Sequence, residues 1–215
     1  MTSREAPSIS SLILVPSLIT LGVTLLRLVG ELNNWAPSLF SRQAGGAAAL
    51  IGIVWLAPLF GAYFAWRLAG TGSAPGGGRL IGQALIAFLL PVAAGVVVGK
   101  VMHHGPSAII PAVMLAALVG CWLVWRTWPL LGRTLLLYGL AARIPVILVM
   151  LVAMLQNWGT HYDVPPPNFP AGVPVMAKWF QIGVMPQLFL WIPYTILSGA
   201  LLGGIALLAA GKKDR

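Results

Sequence analysis

The chain has 215 residues, of which 59% are hydrophobic and only 8% charged, at a mean hydropathy of +0.91. A soluble domain carries charge on roughly a quarter of its residues, so water is not the main solvent of this chain. The net charge of +9 does not point to nucleic acid either, because the bases stand at the ends of apolar runs, where membrane topology places them.

The apolar residues come in runs of about 20, the length that carries a helix at 1.5 Å per residue through roughly 30 Å of hydrocarbon. The strict alternation of a membrane barrel is absent. The predicted fold class is therefore all-α: a polytopic membrane helix bundle of about six transmembrane helices, residues 1–215 forming one transmembrane domain. Met1 to Pro7 lacks a cleavage signal, so the first run reads as a retained span.

That first run goes from Ile9 to Gly30 and closes on Glu31, Asn33, Asn34 and Trp35. The second, Gly45 to Leu68, stops at the Gly/Ser/Pro turn Thr71 to Gly78, and the third, Leu80 to Met102, ends in His103, His104, Gly105 and Pro106. The fourth covers Ala108 to Trp125, the fifth Thr134 to Leu155 and the sixth Gln187 to Ala210. One long connection, about 156–176, holds His161, Tyr162, Asp163 and three consecutive prolines, which fix an extended path and predict an ordered outer loop. After it, Ala177 to Met185 predicts a short interfacial helix leading into the last span.

Eight bases (Arg4, Arg67, Arg79, Arg126, Arg133, Lys212, Lys213 and Arg215) fall on the face with both termini, against four (Arg27, Arg42, Lys100 and Lys178) on the other. Both termini are therefore expected in the cytoplasm of a bacterial-type plasma membrane, with the proline-rich loop outside. Prolines inside the spans, among them Pro91, Pro145, Pro186 and Pro193, predict bent helices and local cavities, while Gly199, Gly203 and Gly204 suit close helix packing. Leu32-Asn33-Asn34-Trp35 resembles Leu155-Gln156-Asn157-Trp158; it marks either an internal duplication or two helix exits with the same cap.

Arg143 is the most informative single residue. It falls near the middle of the fifth run, where a charge costs at least about 2.5 kcal/mol, and no acidic residue stands at matching depth in any span. It either staples helices through carbonyls freed by proline or binds an anion. Arg27 and Glu31, four residues apart, form a natural pair on one helix face near the outer end of the first span. His104, His161 and Asp163 leave the membrane at the same level, so the sequence predicts that at least two of Glu31, His104, His161 and Asp163 line one outer pocket. The substrate-binding candidates are thus Arg143, Arg27, Glu31, His104, His161 and Asp163.

The leading reading is binding or movement of a small anionic solute or lipid through an outward-facing vestibule. A membrane-embedded enzyme using His161, Asp163, His104 and Glu31 is the alternative, and a subunit of a homo-oligomer or larger membrane complex the third. The cofactor is unknown from sequence: Walker A, GxGxxG, CxxCH, HExxH and GxSxG patterns are absent, while three outer histidines and two carboxylates could in principle bind Zn²⁺. The single Cys121 excludes a cysteine-based metal site, and the outer histidines and carboxylates show no zinc-ligand spacing.

Overall fold

The structure is a computed structural model that describes residues 8–46, 49–167 and 169–211. Within them there are six helices and no strand: α1 (Ile9–Leu32), α2 (Leu56–Ala69), α3 (Gly77–Val101), α4 (Pro106–Thr127), α5 (Pro129–Gln156) and α6 (Val175–Gly211). All but α2 are long and apolar enough to cross a membrane. Their outward side chains are Leu, Val, Ile and Trp, Leu14, Leu89, Leu115 and Leu148 among them. The chain is a multi-pass membrane protein. The bases Arg4, Lys212, Lys213 and Arg215 lie outside the described residues.

The helix ends follow from local chemistry. Pro106 and Pro129 occupy first turns, where the missing N–H has no partner to lose. Asn34 and Asn157 adopt left-handed φ of 54° and 52°, and the next N–H, of Trp35 or Trp158, returns to the carbonyl of Gly30 or Ala153. That is one capping geometry used twice, and it accounts for the Leu-x-Asn-Trp resemblance without a duplication.

Two expectations are corrected. The run Gly45 to Leu68 is not a full span: among its described residues the helix covers only Leu56–Ala69, 14 residues or about 21 Å. Gly45 and Gly46 have φ of 77° and 69°, and the chain before α2 folds back on itself, with the N–H groups of Leu50 and Ile51 donating to the carbonyls of Ser38 and Leu39. Irregular backbone of this kind is tolerated in a membrane where it is buried in protein or lines a cavity.

The separate interfacial helix is also absent, because Ala177 to Met185 is part of the 37-residue α6. Pro186 and Pro193 lack the N–H that an α-helix needs, and the helix widens around them. The N–H of Met185 bonds back to the Phe180 carbonyl and that of Ile192 to the Gln187 carbonyl, five residues away in each case, through the π-helical segments Trp179–Val184 and Gln187–Trp191.

Helix α6 is the central post. Lipid tails are as apolar as leucine, so close packing and hydrogen bonds hold such helices together. Gly61 of α2 faces the backbone of Gly199 with no room for a Cβ, Gly203 abuts Ala65, and Gly77 of α3 sits against the Gly204 carbonyl. Around these crossings Phe64, Leu68, Leu80, Leu131, Leu135 and Tyr138 are fully buried. The Tyr138 hydroxyl and Thr20 Oγ1, 2.8 Å apart, tie α5 to α1.

Helix α2 runs parallel to α6, whereas α3 and α5 run against it. The start of α1 and the end of α6 therefore share one end of the bundle. At that end Arg67, Arg126 and Arg133 lie over the rings of Tyr63, Trp122 and Trp125, the pairing of base and aromatic that suits a membrane–water boundary. The opposite end carries the close of α1, the α3–α4 turn and the 157–174 loop.

Candidate functional site

Toward the loop end the bundle forms a partly open cavity of about 670 Å³, within the range of small-molecule sites. Helix α1 contributes Val23, Thr24 and Arg27, α5 contributes Arg143, Val146 and Met150, and the π-helical stretch of α6 contributes Gln187 and Trp191. The irregular segment before α2 and the loop residues His161 and Tyr162 complete it. The widened turns of α6 thus form one wall and the broken second run another. Most of the lining is aliphatic or aromatic; its charged groups are Arg27 and Arg143, and the imidazole of His161 stands beside Arg27.

Arg143 is 4% exposed. Its Nη1 donates to Gln187 Oε1 at 3.3 Å, and its guanidinium carbon lies 4.8 Å from the centroid of the Trp191 ring. Gln187 is oriented by its own amide contact with Met150 Sδ at 3.8 Å. Nε of Arg143 has no hydrogen-bond partner among the described residues, and no carboxylate pairs with the group there. The backbone carbonyls freed by Pro91 and Pro145, one of the alternative partners read from the sequence, accept no bond from Arg143 among the described residues. Beyond one long bond and one aromatic face, the guanidinium keeps Nε without a partner and turns toward the cavity.

Nearer the mouth the geometry is denser. Glu31 has no exposed surface. Its carboxylate accepts from Arg27 Nε at 2.8 Å, from the His161 backbone N–H at 2.8 Å, and meets His161 Nδ1 at 2.5 Å. Arg42 donates to the Glu31 carbonyl, and Arg27 Nη2 to the Ser41 carbonyl at 3.2 Å. The loop is therefore tied to α1 by the two His161 bonds to the buried Glu31 carboxylate, which Arg27 pairs from the same helix. Burial holds the His161 imidazole below its ordinary value; the bond to Glu31 opposes this and the nearby Arg27 charge adds to it. A neutral ring donates from Nδ1 to the carboxylate and carries its lone pair on Nε2. Tyr162, whose hydroxyl is pushed up by burial, donates to the Thr24 carbonyl at 3.1 Å.

Of the six sequence candidates, Arg143, Arg27 and His161 line the cavity. Glu31 lies behind them and orients two of the three. Asp163 serves the loop: its oxygens accept from the N–H groups of Gly159 and Thr160 and from the Thr160 hydroxyl, at 2.7–2.8 Å. His104 is exposed beyond α3, next to His103 at a left-handed φ of 54°, and the structure does not bring it to the cavity. Of the four groups expected to share a pocket, only His161 lines it. Gln187 and Trp191 were missed, although an amide inside an apolar run was a readable signal. Among the described residues no group of three His, Cys, Asp or Glu side chains is placed to hold a metal ion. Comparison with known proteins found no matching family model, no matching curated protein and no matching solved structure.

Proposed function

We propose that the protein binds an anionic amphiphile in this cavity, its acidic head between the two arginines and its chain along the apolar walls, as the first step in moving it within a bacterial plasma membrane. In this reading both termini are cytoplasmic and the loop caps the cavity from outside. The observation that carries it is Arg143: a nearly buried guanidinium with an unpartnered Nε and no pairing carboxylate among the described residues, aimed into a space large enough for a ligand. A charge kept there at a cost of at least about 2.5 kcal/mol marks a functional site unless something else pairs it. The walls favour an amphiphile over a simple inorganic anion, because Ile53, Trp55, Met114, Val146 and Leu190 surround the charges.

The test is native mass spectrometry of the purified protein in micelles containing equal phosphatidylglycerol and phosphatidylethanolamine. Wild type should retain the anionic lipid preferentially, and Arg143→Met should lower that retention by about tenfold or more, as the loss of one charge-assisted contact implies. Because Met removes an unpaired charge, the variant should unfold no more easily than wild type and gain about 2 kcal/mol. Unchanged retention in Arg143→Met, or equal retention of the two lipids by wild type, would refute the proposal.

A further inference from the structure

The widened turns of α6 that wall the cavity with Gln187 and Trp191 also wall a second hollow. Leu188 and Ile192 line, together with α4 and α5, a groove of about 430 Å³ that shares no residue with the cavity. Pro193 lines it too, and the N–H that this proline lacks is the one that would have kept the helix tight here. The α4 wall runs from Leu118 to Trp125 and the α5 wall is Leu136 and Leu140, so every side chain in the groove is apolar or an indole. Leu118 and Trp122 are exposed, which leaves it open sideways to the bilayer.

From Leu118 to Trp125 the α4 wall spans about 10 Å, and Trp125 stands just before the helix ends at Thr127. The groove therefore occupies one leaflet, running from the membrane surface toward a midplane about 15 Å below it. Its surface end is basic. The guanidinium carbon of Arg126 lies 5.1 Å from the centroid of the Trp122 ring and that of Arg133 5.7 Å from the centroid of the Trp125 ring, so each indole of the groove carries a guanidinium. The two arginines come from different helices. They meet here because Trp128 alone separates α4 from α5, and Gly132, with no room for a Cβ between it and the Trp125 backbone, lets the start of α5 pack on that residue. Both arginines are exposed, and the carboxylates among the described residues, Glu31 and Asp163, belong to the opposite end of the bundle.

We propose that this groove holds one chain of an anionic phospholipid from that leaflet, with the lipid phosphate at Arg126 and Arg133. The apolar walls take the chain, and the two positive charges at their surface end set the sign of the head. A basic pocket between helices at the membrane surface is the usual setting for an acidic headgroup. A zwitterionic lipid brings its own ammonium to the same place and gains less from it. A second copy of the chain, seated here about a twofold axis, would set its own Arg126 and Arg133 against these two, a like-charge contact. The groove opens in the leaflet away from the loop, and nothing in its argument rests on the amphiphile reading of the cavity.

The experiment places the full chain in phosphatidylcholine vesicles and quenches its tryptophan fluorescence with phosphatidylglycerol or phosphatidylcholine brominated on the chains. Nine tryptophans contribute, so the quenching lost in Trp122→Phe with Trp125→Phe reads the groove alone; neither ring lines the cavity. In that share, brominated phosphatidylglycerol should act at about a tenfold lower membrane fraction than brominated phosphatidylcholine. Arg126→Gln with Arg133→Gln, both at exposed positions, should bring the two lipids to within about twofold of each other. Arg67→Gln, over Tyr63 at the same end but outside the groove, should leave the preference as it is. Equal quenching by the two lipids in wild type, or a preference that survives the double arginine change, would overturn the proposal. An equal loss in Arg67→Gln would do the same, since attraction to a basic surface would then suffice. Oxidation that joins two chains through Cys121, which lines the groove, with both brominated lipids excluded, would assign the groove to a second copy and also overturn it. None of these readings involves Arg143, so the groove and the cavity stand or fall separately.

Discussion

Glu31→Gln is the most informative single change to the scaffold of the site. The side chain keeps its volume and one acceptor oxygen, but an NH₂ group replaces the other oxygen in a pocket filled with donors: Arg27 Nε, the His161 N–H and His161 Nδ1. Each charge-assisted bond of this kind contributes about 1.5–3 kcal/mol, and breaking a buried pair by removing one partner typically costs about 3–5 kcal/mol. Glu31 has 0% exposure and Arg27 only 7%, so water does not rescue either group. A loss of about 4 kcal/mol is expected, a large fraction of the roughly 5–15 kcal/mol that a folded protein has in total. Sodium dodecyl sulfate titration in mixed micelles, followed by tryptophan fluorescence, measures it; limited proteolysis should show the 157–174 loop released first. Replacing both members, as Arg27→Met with Glu31→Leu, should recover part of the loss, since two apolar groups leave no unpaired charge between them. A Glu31→Gln protein within about 1 kcal/mol of wild type would refute the view that the Glu31 carboxylate holds the loop to α1 through His161.

Further expectations concern packing, pH and orientation. Gly61→Leu should cost about 3 kcal/mol or more, because its side chain must displace the Gly199 backbone, whereas Gly22→Leu, with nothing within 4 Å of the new Cβ, should stay within about 0.5 kcal/mol in the same titration; equal effects would contradict the packing. The His161 ring is held below its ordinary value of 6.5 chiefly by burial, so the unfolded chain takes up a proton before the folded one does. Stability of the ligand-free protein should accordingly be complete above about pH 6.5 and decline as the pH falls below it, with the slope reduced in His161→Gln; stability that rises on acidification would overturn the assignment. In a Cys121→Ala background, His104→Cys should react with an impermeant maleimide added to intact cells, and labelling only after lysis would reverse the proposed orientation.

Much of the fold was legible because it rests on local quantities. Transfer to lipid is summed residue by residue, so runs such as Pro106–Thr127 and Pro129–Gln156 announce themselves, and left-handed turns at Asn34 and Asn157 follow from an asparagine at a helix exit. The depth of Arg143 and the four-residue spacing of Arg27 and Glu31 were equally readable. Hydropathy does not distinguish a helix facing lipid from apolar backbone lining a cavity, however, and for that reason the run from Gly45 to Leu68 passed for a span. The widened turns of α6 depend on how a proline-broken ladder is repaired against its neighbours. The contact of Glu31 with His161 joins residues 130 apart, that of Arg143 with Gln187 residues 44 apart, and Gly61 meets Gly199 across two helices. Such pairs are chosen by which helices pack together, a choice that lipid-like side chains barely bias and that glycine contacts and buried hydrogen bonds settle only once the bundle has closed.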